Sequence, residues 1–343
     1  MINSFSKMST LNKVLLISAV GATTAYAISR WMREKNKLNL QDKVVLITGG
    51  SRGLGLVLGR MLAEKGARLA ICARNAEQLE LARLDLVGHG AEVIALPADI
   101  TDTNQVEALI KDVISHYGQL DVLINNAGII QVGPHEAMDI EDFEAAMKTN
   151  FWAALYTMLK VIPYFKKQGE GRIVNIASIG GKIAVPHLLP YTASKFALVG
   201  LSEGLHAELK KHNITVTTVV PGLMQTGSPR NVTVKGNHKA EYAWFKISDS
   251  SSILSLKTET AAANIIKALE YGRPEAIFAL SAKFASFIQG IAPGWISEIM
   301  AAVNNIMPGA TPTGEQKGYE SESFISKLLG GNSNVAALKN NEG

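Results

Sequence analysis

Two side chains with acid–base chemistry, those of Tyr191 and Lys195, lie four positions apart in the segment YTASK. On a helix this spacing places both side chains on one face, one turn apart. A phenol has a pKa of about 10, and lowering it by about three units takes ~4 kcal/mol, which one ammonium at ~4 Å supplies at an effective dielectric of ~20. The pair therefore predicts a proton donor and acceptor for a reacting oxygen, as hydride transfer to a ketone requires.

A hydroxyl and an amide extend this set. Ser178 ends the predicted strand in IVNIAS, where open α/β sheets bind their ligands, so its hydroxyl can hydrogen-bond a substrate carbonyl. It lacks the G-x-S-x-G elbow of a hydrolase nucleophile. Asn150 lies in a predicted helix, in which Asn is a poor helix former. Nearby His187 is interpreted as a surface residue or, at most, as part of a substrate pocket.

A glycine-rich turn follows the apolar run VVLI at residues 44–47, and a segment with helical spacing follows the turn. The glycines matter because a phosphate can approach the N–H groups of a helix N-terminus only where no Cβ intervenes. A strand before the turn and a helix after it are the context that a dinucleotide-binding motif requires. The sequence therefore predicts a pyrophosphate site in the turn, which consists of Thr48, Gly49, Gly50, Ser51, Arg52, Gly53, Leu54 and Gly55.

The spacing TGxxxGxG, together with YxxxK, resembles the short-chain dehydrogenase/reductase family in its shorter branch, over about Asp42 to Glu275. The longer epimerase branch would have TGxxGxxG, which this turn does not fit. The resemblance implies a complete catalytic tetrad. Tyr191 would be the acid/base, and Lys195 would hold the ribose and lower the pKa of the phenol. Ser178 would orient the carbonyl, and Asn150 would distort its helix to hold a relay water.

The resemblance also implies further cofactor contacts. The pair at 99–100 would lie beside the adenine ring, and the turn NNAG at 125–128 would pass under the cofactor, its first Asn pinning neighbouring strands. The segment PGLMQT at 221–226 would lie near the nicotinamide amide. The complete predicted cofactor set is Thr48, Gly49, Ser51, Arg52, Gly53, Leu54, Gly55, Arg74, Asp99, Ile100, Asn126, Ala127, Gly128, Tyr191, Lys195, Pro221, Gly222 and Thr226.

The end of the second predicted strand favours NADP(H) over NAD(H). Arg74 lies about twenty residues beyond the glycine turn, where an NAD site places Asp or Glu on the ribose 2′-hydroxyl. A guanidinium can instead pair with a 2′-phosphate. Arg52, in the turn itself, is a second cation in the same region. The alternative interpretation of Arg74 is an exposed residue that caps a strand.

The elements that must position these groups alternate between strand and helix patterns. They predict an α/β fold, a doubly wound parallel sheet of about seven strands (a Rossmann fold) with helices on both faces, over residues 41–280. Ligands of such a sheet bind at the carboxyl ends of its strands. The predicted strands are Val44–Thr48, Arg68–Ala73, Glu92–Leu96, Asp121–Asn125, Arg172–Ala177, Thr215–Val220 and Glu275–Ala279.

Residues 1–40 predict a membrane anchor with a basic flank. The run VLLISAVGATTAYAI is uncharged, and a helix from Leu11 to Trp31 rises about 31 Å, enough for a hydrocarbon core of ~30 Å if Lys13 snorkels. Basic residues are denser after the run, which predicts a single pass with the catalytic domain on the cytoplasmic side. The alternatives are a helix lying on the membrane surface and a signal peptide with a cleavage site at AYA.

Two later segments carry expectations about the substrate and the C-terminus. Residues 227–257 are polar and loop-like with interspersed aromatic residues, where the family carries its substrate lid. Residues 281–343 are expected to form an apolar helical extension, broken at Pro293-Gly294, and then a tail that is partly ordered or flexible. Core packing is the default expectation for the extension, and the alternatives are that it covers the substrate entrance, pairs subunits or touches the bilayer. The aromatic residues of 227–257 suggest an apolar substrate, such as a lipid-derived ketone, a retinoid or a steroid-like molecule, but they could equally pack the lid onto the body of the domain.

Composition narrows the function classes further. A net charge of +4 without a clustered basic face argues against nucleic-acid binding. The single cysteine, Cys72, excludes an intrachain disulfide and a multi-cysteine zinc site, and no metal site is predicted. The sequence thus predicts an NADP(H)-dependent oxidoreductase that interconverts a carbonyl and a secondary alcohol, and the resemblance implies a homodimer or tetramer. The alternative is an NADPH-binding scaffold or redox sensor with little turnover.

Overall fold

The computed structural model describes residues 9–35, 37–250, 255–311, 314–324, 326 and 331–342. Its strands are β1 Val44–Thr48, β2 Arg68–Ala73, β3 Val93–Pro97, β4 Val122–Asn125, β5 Gln131–Val132, β6 Gly171–Ile176, β7 Ile214–Val220, β8 Leu223–Gln225, β9 Thr233–Val234, β10 Ser255–Lys257, β11 Glu275–Ile277 and β12 Gln316–Lys317. Its helices are α1 Thr10–Lys35, α2 Gly53–Ala63, α3 Ala76–Gly88, α4 Thr103–Tyr117, α5 Ile140–Met147, α6 Ala153–Gln168, α7 Leu189–Leu209, α8 His238–Ser250, α9 Thr258–Glu270, α10 Leu280–Ile291, α11 Pro293–Asn304 and α12 Gly331–Lys339.

Seven parallel strands form the central sheet, in the spatial order β11-β7-β6-β4-β1-β2-β3. Val45 of β1 pairs with Leu69 of β2 on one side and with Val122 of β4 on the other. The chain runs outward from β1 to β3 and then crosses to β4, so the strand order reverses beside β1. The carboxyl ends of β1 and β4 therefore border the crevice in which such sheets bind ligands. The predicted fold class is confirmed.

Helices cover both faces of this sheet. On one face, α2, α3 and α9 bury Leu62, Leu86 and Leu269 against the strands. On the other face, α4 and α6 bury apolar residues such as Val113 and Phe165. Burial of these side chains is the main favourable contribution to the stability of the sheet, at about 25 cal/mol per Å² of apolar surface. A strand that is covered on both faces has a continuous run of apolar residues in its sequence. The predicted strand bounds therefore lie close to the observed ones.

Residues 227–257 contain ordered elements where a polar loop was expected. β9 lies between β5 and β12 in a small sheet, and α8 packs Tyr242 and Phe245 against Val132 and Val234. The two aromatic residues are three positions apart and so share one face of the helix. The buried Lys246 beside them made the helical pattern look polar.

The helix α1 covers most of the predicted anchor. In the part of the chain that the structure describes, no helix is both long and apolar enough to cross a membrane. The prediction of a membrane-spanning helix is therefore not supported. Polar residues within the run, such as Thr23 and Thr24, and Lys13 near its start make this helix less apolar than a span requires.

The apolar segment near the C-terminus forms two helices that meet at Pro293, where the break was expected. Packing into the core was also expected, but only Ala282 of α10 and Ile296 of α11 are buried. Large side chains such as Phe284 and Trp295 are exposed instead. The helical pattern was thus correct, whereas the default expectation of core packing was wrong. The alternatives, in which this face covers the substrate entrance, pairs subunits or touches the bilayer, stay predictions.

The last described residues are ordered, within the expectation of a tail that is partly ordered or flexible. Residues 331–339 form α12, in which Asn334 accepts a hydrogen bond of 2.8 Å from Lys246 of α8. Asn340 and Glu342, which follow this helix, are only 1% and 6% exposed. Gly53 contacts Asn340 and Arg52 contacts Glu342, from a turn nearly three hundred positions earlier in the chain, so no local pattern could indicate these contacts.

Candidate active site

The glycine turn is shaped by close backbone approaches. Gly49 has a φ of 63°, and a Cβ there would lie 2.9 Å from the Cα of Ala127. A Cβ at Gly55 would collide with the carbonyl oxygen of Gly49. The hydroxyl of Thr48 accepts hydrogen bonds from the amides of Asn126 and Ala127, at 3.0 and 3.2 Å. The turns after β1 and β4 are therefore locked together as one unit.

The first Asn of the NNAG turn pins strands together, as the family resemblance implied. The amide nitrogen of Asn125 donates to Oδ1 of Asn175 in β6 at 2.9 Å. Its own Oδ1 accepts a hydrogen bond of 2.7 Å from Thr157 of α6. All three side chains are buried, so this network fixes the strand ends that carry the site.

The N-terminus of α2 is contacted by the C-terminal residues of the chain. The amide of Gly53 donates to the carbonyl oxygen of Asn340 at 2.8 Å. Nε of Arg52 lies 3.8 Å from the carboxylate of Glu342. Leu54 places its side chain in the apolar core, so only its backbone can face a ligand.

The edge of the sheet at which the adenosine is predicted to bind carries one positive and one negative side chain, Arg74 and Asp99. Arg74 is exposed at the end of β2, and Ile100 is buried after β3. Partial burial raises the pKa of Asp99, but hydrogen bonds from the amide and hydroxyl of Thr101, at 2.9 and 2.8 Å, hold it below its ordinary value. The positive charge of Arg74 acts in the same direction. Arg74 and Asp99 are thus neighbours at one end of the crevice.

The phenol of Tyr191 and the hydroxyl of Ser178 lie beside each other. Burial raises the pKa of Tyr191, and a hydrogen bond with Ser178 opposes this rise. The hydroxyl of Ser178 also accepts the amide of Gly180 at 3.0 Å, which fixes its position at the end of β6. A substrate oxygen placed next to both hydroxyls would receive two hydrogen bonds.

Lys195 is buried one helical turn from Tyr191 and is held by a backbone carbonyl. Its Nζ donates to the oxygen of Ile176 at 2.8 Å and lies 5.7 Å from the centroid of the Tyr191 ring. Burial lowers the pKa of Lys195 to about 8. The expected lowering of the Tyr191 pKa by this ammonium is not observed: the pKa is raised, because desolvation of the phenol dominates.

Asn150 lies in one turn of π-helix, Lys148–Trp152, between α5 and α6. Its Oδ1 accepts from the amide of Ile129 at 2.9 Å, and its Nδ2 donates to the carbonyl oxygen of Ile129 at 3.0 Å and to Oγ of Ser194 at 2.9 Å. A Cβ at Gly128 would lie 2.9 Å from Oδ1 of Asn150 and 3.6 Å from Nζ of Lys195. The helix distortion that the resemblance implied is present, and it brings Asn150 beside the lysine.

The loop after β7 borders the site on its remaining side. The carbonyl oxygen of Pro221 accepts the amide of Ile179, next to Ser178, at 2.8 Å. Gly222 is partly buried, and Thr226 is buried with its hydroxyl accepting the amide of Ser228 at 3.1 Å. The segment predicted to contact the nicotinamide therefore begins beside the catalytic serine candidate.

Sequence reasoning missed a buried pair beside the tyrosine. His187 is only 6% exposed rather than a surface residue, and its Nδ1 lies 2.8 Å from Oε2 of Glu241 in α8. Trp244 donates to the same carboxylate at 2.7 Å. These contacts join the segment before Tyr191 to α8. One sequence feature could have indicated this pair: Glu241 directly precedes aromatic residues that have the spacing of a buried helix face.

Asn231 was also missed, since the sequence shows it only as part of a glycosylation sequon, N-V-T. Its Oδ1 accepts a hydrogen bond of 2.9 Å from Nη1 of Arg52, and its Nδ2 donates to Glu342.

In the described ranges, no group of three or more His, Cys, Asp or Glu side chains is arranged to hold a metal ion.

Comparison with known proteins shows what this arrangement is similar to. The profile described as "short chain dehydrogenase" matches residues 43–235. A fatty acyl-CoA reductase of Acinetobacter baylyi is 32% identical over 284 residues, which cover 81% of this chain and 90% of that protein. A "Dehydrogenase/reductase SDR family protein 7-like" of Anopheles gambiae is 30% identical over 295 residues, or 83% of this chain and 92% of that protein.

Solved structures show the same architecture. An actinorhodin polyketide ketoreductase variant with NADPH has a TM-score of 0.62 and 31% identity, covering 69% of this chain and 95% of its own. A short-chain dehydrogenase/reductase from Burkholderia phymatum in complex with NAD shares the fold, with a TM-score of 0.68 at 21% identity over 75% of this chain and 96% of its own. The chain therefore belongs to the short-chain dehydrogenase/reductase family, a family of nicotinamide-dependent oxidoreductases.

Proposed function

We propose that this protein is an NADP(H)-dependent oxidoreductase that interconverts a carbonyl and a secondary alcohol on an apolar substrate. One observation carries the proposal: the phenol of Tyr191, the hydroxyl of Ser178 and the buried amine of Lys195 meet at the carboxyl end of β6, beside the glycine turn. Asn150 and Gly128 complete this group on the side of β4.

The glycine turn fits the phosphates of a dinucleotide. A Cβ at Gly49 or Gly55 would collide with backbone atoms, so these positions require the absence of a side chain. In this structure the amide of Gly53, at the N-terminus of α2, donates to the carbonyl oxygen of Asn340, so an acceptor oxygen fits at this end of the helix. The turn would therefore hold the pyrophosphate.

Each side chain of the tetrad has a role in the proposed reaction. When bound, the nicotinamide would supply a hydride to a carbonyl carbon or accept one from an alcohol. Tyr191 donates its phenolic proton to the substrate oxygen during reduction, and Ser178 orients that oxygen by a hydrogen bond. With a pKa of about 8, Lys195 is mostly protonated near neutral pH and can return a proton to the phenol. Asn150 positions a relay between this lysine and solvent.

The preference for NADP(H) is supported by the charges at the end of β2. Arg74 is exposed at the position where an NAD site carries an acidic residue. Arg52 lies at the start of α2, with 42% of its side chain exposed. Two guanidinium groups can pair with a 2′-phosphate, which NAD(H) lacks.

An apolar acyl-type substrate is supported by the surroundings of Tyr191 and by two groups of relatives. Val185, Leu188 and Trp244 belong with Tyr191 to one apolar cluster. The relative from Acinetobacter baylyi is named a fatty acyl-CoA reductase, and one from Streptomyces coelicolor is named a putative ketoacyl reductase. A carbonyl on a lipid-derived chain fits both the cluster and these names.

The helices that carry the site also support association between copies of the chain. Trp152, Leu159 and Phe196 expose apolar side chains along α6 and α7 and the turn that precedes them. A homodimer or tetramer that pairs these faces would bury them. Light scattering would measure the mass of the oligomer.

A cytoplasmic location of the catalytic domain stays a prediction, which cell fractionation would check.

Turnover with purified protein tests the function. NADPH oxidation with a panel of lipid-derived ketones should be lost by Tyr191→Phe, with kcat reduced about 10²- to 10⁴-fold, while NADPH binding is retained. Tyr164→Phe, at an exposed tyrosine of α6, is the matched control and should leave kcat unchanged. NADPH binding without turnover of any substrate would favour the scaffold or sensor alternative. Absence of nicotinamide binding would refute both.

A further inference from the structure

The last described residues of the chain, 340–342, lie on the turn that the cofactor needs. We propose that this C-terminal segment is an internal ligand of the dinucleotide phosphate site and excludes NADP(H) until it is displaced. The inference rests on the proposed function, because it requires that the turn bind the cofactor. It identifies a second state of the same site, in which the chain inhibits itself.

Backbone and amide groups hold the segment on the turn. The amide of Gly53, at the N-terminus of α2, donates to the oxygen of Asn340 at 2.8 Å. Nδ2 of Asn341 donates to the carbonyl oxygen of Ser51 at 2.9 Å, and Nε2 of Gln78 donates to the oxygen of Asn341 at 2.8 Å. The amide of Gly53 is one that a bound phosphate would use. The segment therefore occupies a donor that the proposed function reserves for the cofactor.

The carboxylate of Glu342 lies where only a glycine allows close approach. A Cβ at Gly53 would collide with Oε1 of Glu342, so this oxygen lies close to the side of Gly53 on which other residues carry a side chain. Asn231 donates to the same carboxylate, and Arg52 lies 3.8 Å from it. The carboxyl group of Glu342, contacted by an amide and a guanidinium, therefore occupies the space next to Gly53 that a phosphate would need.

Simultaneous occupancy is excluded by volume and by charge. A phosphate above Gly53 would overlap the carboxylate of Glu342, and the two negative charges would repel each other in a site from which water is largely displaced. Two ligands that cannot share one site compete, so the apparent affinity for NADP(H) is reduced by the fraction of molecules with the segment bound. The free energy that holds the segment is therefore subtracted from cofactor binding.

The segment can leave without breaking the central sheet. It follows α12 and contacts the turn through single hydrogen bonds, and none of its residues belongs to a strand of that sheet. Burial raises the pKa of Glu342 to about 7, while the facing charges of Arg52 and Arg230 act to lower it. The buried carboxylate thus makes the bound state less favourable than its hydrogen bonds alone would make it.

Two variants that leave the cofactor residues intact test the proposal. A chain that ends at Lys339 lacks the segment, and Asn341→Ala removes its hydrogen bonds to Ser51 and Gln78. Asn341 also has a φ of 58°, which Ala adopts with strain. Glu315→Gln changes an exposed carboxylate elsewhere in the C-terminal region and is the matched control. Circular dichroism melting would verify that each variant is folded.

The Kd for NADPH, measured by fluorescence titration, should fall about tenfold or more in the chain ending at Lys339, fall by less in Asn341→Ala, and stay unchanged in Glu315→Gln. In stopped flow, the observed binding rate of the full chain should reach a plateau set by release of the segment, whereas that of the shortened chain should rise linearly with NADPH concentration. Equal or weaker NADPH binding by the folded shortened chain would overturn the inference and leave the proposed function intact. Absence of NADPH binding in every folded variant would overturn the proposed function as well.

Discussion

The contact between Gly128 and two side chains of the tetrad makes Gly128→Ala the sharpest test of the site geometry. The added Cβ would lie 2.9 Å from Oδ1 of Asn150 and 3.6 Å from Nζ of Lys195. The first distance is shorter than carbon–oxygen contacts in proteins, so one group must move. The amide of Asn150 cannot simply rotate away, because hydrogen bonds to Ile129 and Ser194 hold both of its ends.

The size of the effect follows from these contacts. Displacing Oδ1 of Asn150 weakens or breaks its hydrogen bond with the amide of Ile129, and an unsatisfied buried donor costs about 1–3 kcal/mol. The backbone of Gly128 is not in the left-handed region, so Ala adds no strain of its own. We expect the Tm to fall by roughly 2–10 °C. Because misplacement of a positioned group by ~1 Å can reduce a rate ~10²-fold, we expect kcat to fall about 10- to 100-fold.

The assay needs a second glycine of the same site as its control. A Cβ at Gly180 would lie 3.4 Å from Cε1 of Tyr191 and 3.5 Å from Oγ of Ser178, which is ordinary van der Waals contact. Gly180→Ala should therefore change stability by less than about 1 kcal/mol. Thermal denaturation and NADPH oxidation would be measured for both variants. Parent-like Tm and kcat in Gly128→Ala, or equal damage in Gly180→Ala, would show that Asn150 and Lys195 are not held as described.

Three further outcomes are expected. Arg74→Glu should weaken NADPH binding about tenfold or more and leave NADH binding nearly unchanged in fluorescence titrations, since a cation for the 2′-phosphate becomes an anion; equal losses for both cofactors would contradict that role. Burial lowers the pKa of Lys195 from 10.5 to about 8, so the unfolded chain binds more protons between these values, and the free energy of unfolding should rise by roughly 3 kcal/mol across this pH window in urea denaturation. Lys195→Met should lack that rise. Burial raises the pKa of Glu342 from 4.5 to about 7, so a proton stabilises the bound segment at low pH and this stabilisation is lost as the pH rises through 7. The NADPH affinity of the full chain, relative to the chain ending at Lys339, should therefore improve with pH in this window, and Glu342→Gln should abolish the pH dependence.

Local patterns were sufficient for the central sheet. The run VVLI lies in β1, with the predicted bounds Val44–Thr48, and Arg68–Ala73 is β2 as predicted. Such runs are reliable because strands buried on both faces tolerate few polar residues. The sequence also indicated candidates for the tetrad. The spacing of Tyr191 and Lys195 is set by one helix and Ser178 follows a strand end, whereas the helix distortion at Asn150 was implied only by the family resemblance. Local patterns failed to predict the helix α8. Its buried Lys246 is paired with Glu322 and Asn334, which lie more than seventy residues further along the chain.

Electrostatics at the site required the packed structure. The spacing of Tyr191 and Lys195 indicated an ammonium that lowers the pKa of the phenol, but the structure has a raised pKa at Tyr191 and a lowered one at Lys195. Spacing gives the distance between two groups, whereas desolvation depends on everything that surrounds them. A sequence alone contains the first kind of information and not the second.

The sequence by itself determined the order of strands and helices along the chain, the glycine turn and the candidates for the reacting side chains, because each of these depends on residues that are close in the chain. Only the tertiary structure decided what contacts the turn. Asn341 reaches Ser51 across 290 positions, and that contact depends on the path of the whole fold between them. Hydrogen bonds between such distant segments form because the folded core brings their backbones within 3 Å, which no local preference encodes.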